Sequence, residues 1–453
     1  MDSAEREILR RDVDALVEAL ESERYRHVAG LERSPDLESL FRARSRAAHR
    51  DTVVALRADG EAAMAARVAA LRADRAAAAD EQAWRRAEWD ARGIGPDGPV
   101  ALEDAALAVP RERDAARRSA LGAAVASAFD AVASPRERWA EVRARARVEV
   151  GLFADWEQVV GADALLAATD DAYRDVLGWL ARREGAAAPA PHGGLDRAGV
   201  LQLMALGPWD GLFKAGLLAP TVNAVAQKLG LALGRVRVDE ESRPSQWPGA
   251  HAFGARVSFR RRGGAPDWLD LLDALGRALA NALGPPPHAR DPRTAAAIGA
   301  VLSGLLLDRG FLVQRVEVEK KHAADVVRVL ALRQLFRLRA SAAALRVAVE
   351  VERGTSGATW RSAHRDALTL ATLAAWPFGL HARDADADGH LAALGGAALA
   401  ARIRAMLVDR YDVDWWRNPR AAEALAGILA AGDAPVGEGL QLGEGGEALV
   451  KLL

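Results

Sequence analysis

The sequence predicts a mainly α-helical protein with one small β-sheet set directly before its central helix. Apolar residues recur at three- and four-residue spacing through most of the chain. Only two stretches alternate like strands, GRVRVDEE at 234–241 and AFGARVSFRR at 252–261. Two breaker-rich stretches interrupt the first half of the chain, RGIGPDGP (92–99) and EGAAAPAPHGG (184–194), the second being the best linker candidate. Half of the 453 residues are hydrophobic, enough for a large core. The length fits about two to four domains or one large helical body.

Taken in order, residues 2–92 are rich in Ala, Arg, Glu and Leu and fit long helices, with turns at Ser34-Pro35 and Asp59-Gly60. RGIGPDGP reads as a loop. Its Gly93, Gly95 and Gly98 match a G-x-G-x-x-G spacing, but a dinucleotide loop follows a strand and opens a helix. Here helices precede it and Pro96 interrupts it, so a plain turn is expected. Helices continue over 101–132 and 135–184, with a break at Ser134-Pro135. Small residues and prolines make 184–194 a linker, dividing an N-terminal helical region (1–184) from a second unit (195–453). Short helices are expected at 196–206, 209–217 and 219–231. The two strands follow, and RRRGG (260–264) ends the second. That basic run reads as a solvated strand end, with phosphate contact as the alternative. Beyond it, helices are expected at 267–283, 293–308, 321–350, 360–376, 389–410 and 419–431.

Composition removes several function classes. Charged residues are 27% and nearly balanced, with a net charge of −1, which argues against a general nucleic-acid binder. There is no cysteine, hence no disulfide and no thiolate metal site. Alanine and arginine dominate while lysine is scarce, as in a GC-rich bacterial genome. The N-terminus carries no apolar segment of a secretory signal, and no run of about 18 uncharged apolar residues is present. A soluble cytoplasmic protein with no membrane partner is expected.

The central helix, WLDLLDALGRALANALG (268–284), is amphipathic. Trp268, Leu271, Leu272, Leu275, Leu279 and Leu283 form one stripe; Asp273, Gly276, Arg277 and Ala280 lie on the other face. Asp273 and Arg277 are four apart and point the same way, an acid–base pair beside a small residue.

Four further segments carry a family resemblance: LLAATDDAYRDVLGWLARRE (165–184), SGLLLDRGFL (303–312), ALRQLFRLRASAAALRVAVEVERG (331–354) and VDRYDVDWWRNPRAAEALAGILAAG (408–432). DWWRNP is the most specific. Together they resemble the oligoendopeptidase-like zinc metallopeptidases, relatives of thimet oligopeptidase and oligoendopeptidase F, most clearly over 150–430. The resemblance implies a thermolysin-clan helical fold, with two helical lobes around a deep channel. It also implies a small sheet whose edge strand holds extended substrate. In such enzymes the helix at 267–283 reads H-E-x-G-H: two imidazoles bind zinc and the glutamate activates water.

Set against that pattern, Asp273 stands for the first His, Ala274 for the Glu and Arg277 for the second His, while Gly276 is kept. The third ligand, a Glu, would fall near Ala296, and Ser303 takes a position where an acid is expected. The tyrosine-containing segment would fall in 388–403, where Leu391 and Gly395 replace aromatic hydroxyls. No H-E-x-x-H occurs anywhere in the chain. A guanidinium stays charged and does not ligate zinc, and Ala274 provides no general base. The resemblance therefore implies a pseudopeptidase without zinc or other cofactor. Its partner would be a peptide or an active peptidase paralogue. The alternatives are residual or altered metal-dependent hydrolysis at a non-standard site, and a structural subunit for an active paralogue. The pair Asp273–Arg277 either satisfies itself after metal loss or offers Arg277 to a peptide carbonyl or carboxylate. In the second case Asp273 and Phe259 would be further peptide contacts.

Other chemistry is sparse. DADADG (384–389) places Asp384, Asp386 and Asp388 like the first half of a calcium loop, but position twelve is Gly395, and helix capping is the alternative. Of nine histidines, no two lie three to five apart on one predicted helix; His381 and His390 flank the acidic loop. Trp415 and Trp416 read as core anchors, or as an exposed aromatic platform. No G-x-S-x-G and no P-loop is present.

Overall fold

The computed structural model describes residues 1–152, 156–189, 194–205, 207–431 and 439–453; His192 and part of the 184–194 connection lie outside them. The chain begins with five helices, α1 (Ser3–Val28), α2 (Leu37–Ala43), α3 (Arg50–Ala58), α4 (Ala62–Ala76) and α5 (Ala78–Asp90). Both predicted turns fall between helices, the second at Gly60 with φ 78°. α1 opens on a capping box, Asp2 accepting from the Glu5 amide while the Glu5 side chain accepts from the Asp2 amide.

The glycine-rich loop is a hairpin, contrary to expectation. β1 (Arg92–Gly95) pairs antiparallel with β2 (Gly98–Ala101), leaving Pro96 and Asp97 as the turn. Gly and Pro are poor strand formers, so propensity hid it. Gly93 is a packing residue: a Cβ there would lie 2.2 Å from the Ala124 carbonyl oxygen.

Next come α6 (Leu102–Ala108), α7 (Ala115–Ala131), α8 (Ala133–Glu149), α9 (Trp156–Arg183), α10 (Arg197–Leu203) and α11 (Ala215–Lys228). Pro110, in a 3-10 turn, breaks the predicted 101–132 helix. β3 (Arg237–Asp239) follows. The predicted strand at 252–261 is instead the turn and second arm of a hairpin, β4 (Gly249–Phe253) and β5 (Arg256–Arg260). Gly254, at φ 55°, sits at the turn, a conformation a side chain resists. The sheet order is β3–β5–β4, with β3 parallel and β4 antiparallel to β5, so β4 is an edge.

The remainder is α12 (Gly264–Leu283), α13 (Pro292–Ser303), α14 (Arg309–Phe311), α15 (Lys320–Glu352), α16 (Gly357–Thr372), α17 (Ala387–Tyr411), α18 (Pro419–Ala431) and α19 (Gly443–Val450). At the start of α12, the Asp267 carboxylate accepts the Arg262 and Gly263 amides at 2.7 and 2.8 Å. Trp268, Leu271, Leu272, Leu275 and Leu279 are buried, as the apolar stripe requires. α17 has the length and apolarity of a membrane-crossing helix, its mean hydropathy reaching 1.6, although Asp388, Arg402 and Arg404 keep it from being an uncharged run. Here it packs against α13 and α15, burying Leu394, Leu399, Ile403 and Leu407.

The main core draws on residues from Ala91 to Leu449 and so lies on both sides of 184–194. A separate cluster is built from Leu9 to Ala78 with Val150. Trp415 and Trp416 are 3% and 1% exposed and belong to the main core, with Phe311 edge-on to Trp416.

Candidate functional site

A cleft of about 1320 Å³ runs along the exposed face of α12. β4 contributes Ala250, His251, Ala252 and Phe253, and α12 contributes Asp270, Asp273, Ala274 and Arg277. The rest of the lining includes residues of α7 and the turn before it, of α10 and of α15, together with Arg383, Asp384 and His390. Both features that the sequence singled out, the acid–base pair and an edge strand, therefore border one space.

Asp273 Oδ2 accepts from Arg277 Nε at 2.7 Å, and the two side chains are 29% and 35% exposed. Behind them the helices approach closely through glycine. A Cβ at Gly276 would lie 2.6 Å from the Ile298 carbonyl oxygen, and one at Gly299 only 2.7 Å from the Asp273 carbonyl oxygen. Gly299, which sequence reasoning missed, lies against the pair. Ala296 instead meets α17, where a Cβ at Gly396 would lie 2.4 Å from its own.

The remaining sequence-predicted positions disperse. Ser303 is buried, its hydroxyl donating to the Ala300 carbonyl at 3.4 Å. Leu391 packs on the main core and Gly395 faces the Arg293 side chain. Neither borders the cleft; α17 sends His390 there instead. Phe259 needs correction as a peptide contact. It is 0% exposed because β5 is the middle strand and its side chain enters the core. From the strands of this sheet, the aromatic that lines the cleft is Phe253, on the edge strand.

The acidic loop does not gather a cation. Asp384 bonds His364 Nε2 at 3.1 Å, Asp386 bonds Arg143 at 3.2 Å, and Asp388 bonds Arg143 and Arg147 at 2.8 and 2.6 Å. Burial would raise the Asp384 carboxyl, but the His364 hydrogen bond and neighbouring cations hold it well below the usual range. His381 is fully buried and bonds Glu137 at 2.5 Å. His390 Nε2 lies 2.9 Å from the Asp384 carbonyl oxygen.

Arginine dominates the cleft electrostatics, which sequence reasoning did not anticipate. Among the described lining residues eight are arginines and five are carboxylates. Arg262, from the basic run after β5, enters the cleft rather than solvent and ion-pairs with Asp270. Burial lowers Arg262 and Arg333 to about 9 each, with the neighbouring arginines adding to the effect; both remain charged at neutral pH. Burial also lowers His251 to about 4, so it is neutral there, its Nε2 3.2 Å from the Pro248 carbonyl oxygen. The available signal was the pair Arg333 and Arg337, four apart in an apolar run.

The donor set does not fit zinc. Asp273 is already bonded to Arg277, Ala274 carries no proton acceptor, and among the described residues no three His, Cys, Asp or Glu side chains converge as a metal site.

No family profile and no curated protein matches the sequence. Solved structures do resemble it. A protein assigned as an oligoendopeptidase F superposes with a TM-score of 0.54 at 12% identity, over 97% of this chain and 84% of that one. A second protein so assigned, from Bacillus anthracis str. Ames, gives 0.51 at 11%, over 100% and 85%. PZ peptidase A with an inhibitor gives 0.51 at 10%, over 85% and 79%. The likeness is one of fold: this chain has the helical architecture of oligoendopeptidase-like peptidases.

Proposed function

We propose that this chain is a non-catalytic protein on a peptidase fold, and that its cleft binds peptides without cleaving them. One observation carries the reading. On the cleft face of α12, where zinc peptidases of this architecture present two imidazoles and a glutamate, this chain presents the Asp273–Arg277 ion pair and Ala274. Asp273 is held by Arg277, and this face offers neither the imidazole pair that would bind the metal nor the glutamate that would take a proton from its water.

What remains favours binding. β4 borders the cleft as an edge strand, and an extended peptide can pair with such an edge through its backbone. Arg277 spends Nε on Asp273, leaving its terminal amines to donate to a peptide carbonyl or carboxylate. Asp273 fixes that guanidinium in place, so little side-chain freedom is lost on binding.

The test uses the full chain and an internally quenched peptide, with added zinc and, separately, with chelator. The expected result is no cleavage under either condition, with saturable binding that Arg277→Ala weakens. Chelator-sensitive cleavage that disappears when Asp273 or Arg277 is changed would overturn the proposal.

A further inference from the structure

We infer that the part of the cleft framed by Arg262, Arg333 and Arg337 is an anion subsite that selects peptides carrying acidic side chains. The inference rests on the peptide-binding reading above and adds the class of peptide.

Arg333 and Arg337 are four apart on α15 and project from one face, both into the cleft. Arg262 joins them from the loop that leads into α12. Nearby carboxylates fall short of three guanidinium groups. Asp270, 8% exposed, is shared: it pairs with Arg262 and lies 3.7 Å from Arg337. Asp267 is engaged by the Arg262 and Gly263 amides. Arg333 has no hydrogen bond and no ion pair with any described residue, and the charge that bears on it is the like charge of Arg337. Arg262 Nε is buried and has no partner.

The contrast with Arg339, six residues along the same helix, is instructive. Arg339 is 2% exposed and fully engaged: it donates to the Ala371 and Leu166 carbonyls and to Thr169, and pairs with Asp170 at 2.7 Å. At Arg339 the fold supplies acceptors for the buried guanidinium. At Arg333 and Arg262 it supplies too few, and those two face the cleft. A ligand carboxylate is the group that completes them, because its two oxygens match the guanidinium fork.

The chemistry points to a peptide rather than a nucleic acid. The cationic excess is local to the cleft while the chain as a whole carries −1, so nothing draws in a long polyphosphate from a distance. Apolar walls at Phe253 and Phe336 stand beside the arginines, as side chains of a mixed acidic and apolar peptide require.

The experiment measures fluorescence anisotropy of the full chain with labelled peptides of equal length. One alternates Glu and Leu, one replaces each Glu by Gln, and one replaces each Glu by Lys; a labelled single-stranded oligonucleotide is run beside them. The Glu peptide is expected to bind about tenfold or more tighter than the Gln peptide, and the preference to fade as salt rises to about 0.5 M. Arg333→Met is expected to abolish the preference, read as the ratio of Glu-peptide to Gln-peptide affinity. Arg337→Gln, on a 60% exposed side chain, is expected to reduce it. Inorganic phosphate should compete with the Glu peptide and not with the Gln peptide. Equal binding of Glu and Gln peptides, or an unchanged preference in both variants, would overturn this inference and leave the peptide-binding reading intact. Binding of the oligonucleotide in place of the Glu peptide would overturn it too. If no peptide of any charge bound, the reading beneath it would fall.

Discussion

Asp273 and Arg277 occupy the most telling positions in the chain, yet their contribution to stability is small. Both are about a third exposed, and an i,i+4 pair in that setting is worth about 0.2–0.5 kcal/mol. Arg277→Ala is therefore expected to leave the thermal midpoint nearly unmoved while weakening peptide binding, which separates function from folding in one variant. Two other residues give opposite pH signatures. Burial raises Glu103 from an ordinary 4.5 to about 7. The folded state then holds a proton that the unfolded state has released, so this group's contribution to stability falls as pH rises from about 4.5 to 7. Glu103→Gln should remove that slope and stabilise the protein at pH 8 by on the order of 1–2 kcal/mol, read by denaturant titration at several pH values. His251 is held at about 4, below its ordinary 6.5, so its contribution is lost as pH falls through that window. The identities of the α12 pair were plain in the sequence. The arginines facing them were not, because residues 262, 333, 337 and 383 are brought together only by folding.

Among the elements, α12 and α13 decide the site's geometry. Their approach through Gly276 and Gly299 leaves no room for a Cβ against backbone. Alanine favours a helix by up to about 1 kcal/mol over glycine, but overpacking typically costs about 1–3 kcal/mol and here meets backbone, so the clash wins. Gly299→Ala is expected to lower stability, and a larger residue to lower it further; thermal unfolding checks both. A gain on Gly299→Ala would show that the helices separate easily. The apolar stripe of α12 was readable from periodicity except at its end, where Leu283 is only partly buried, and the bounds of α15 were readable to within a residue or two. The two hairpins were misread, since β1–β2 is built from Gly and Pro, and the turn at Gly254 sits inside what scans as one strand.

For the whole molecule, the clusters of buried residues predict uneven stability. The cluster from Leu9 to Ala78 with Val150 has its own interior, and ion pairs such as Arg143 with Asp74 and Asp386 bridge from it to the rest. Leu16, fully buried there, is expected to cost about 2–5 kcal/mol when cut to Ala. Hydrogen exchange should show protection lost first over residues 3–76, with α12 and α15 less affected. Uniform loss across the chain would mean a single cooperative unit instead.

The sequence by itself determined the helical class, the position of the sheet before α12, the apolar face of that helix and the absence of H-E-x-x-H. These are local properties, set by periodicity and residue identity along one segment. Only the tertiary structure decided that Gly299 rather than Ala296 lies against the Asp273–Arg277 pair, that Phe259 is core while Phe253 borders the cleft, and that arginines from distant segments face one space. Those outcomes depend on helix crossing and strand order, which bring together residues far apart in the chain and leave no mark in the spacing of any one stretch.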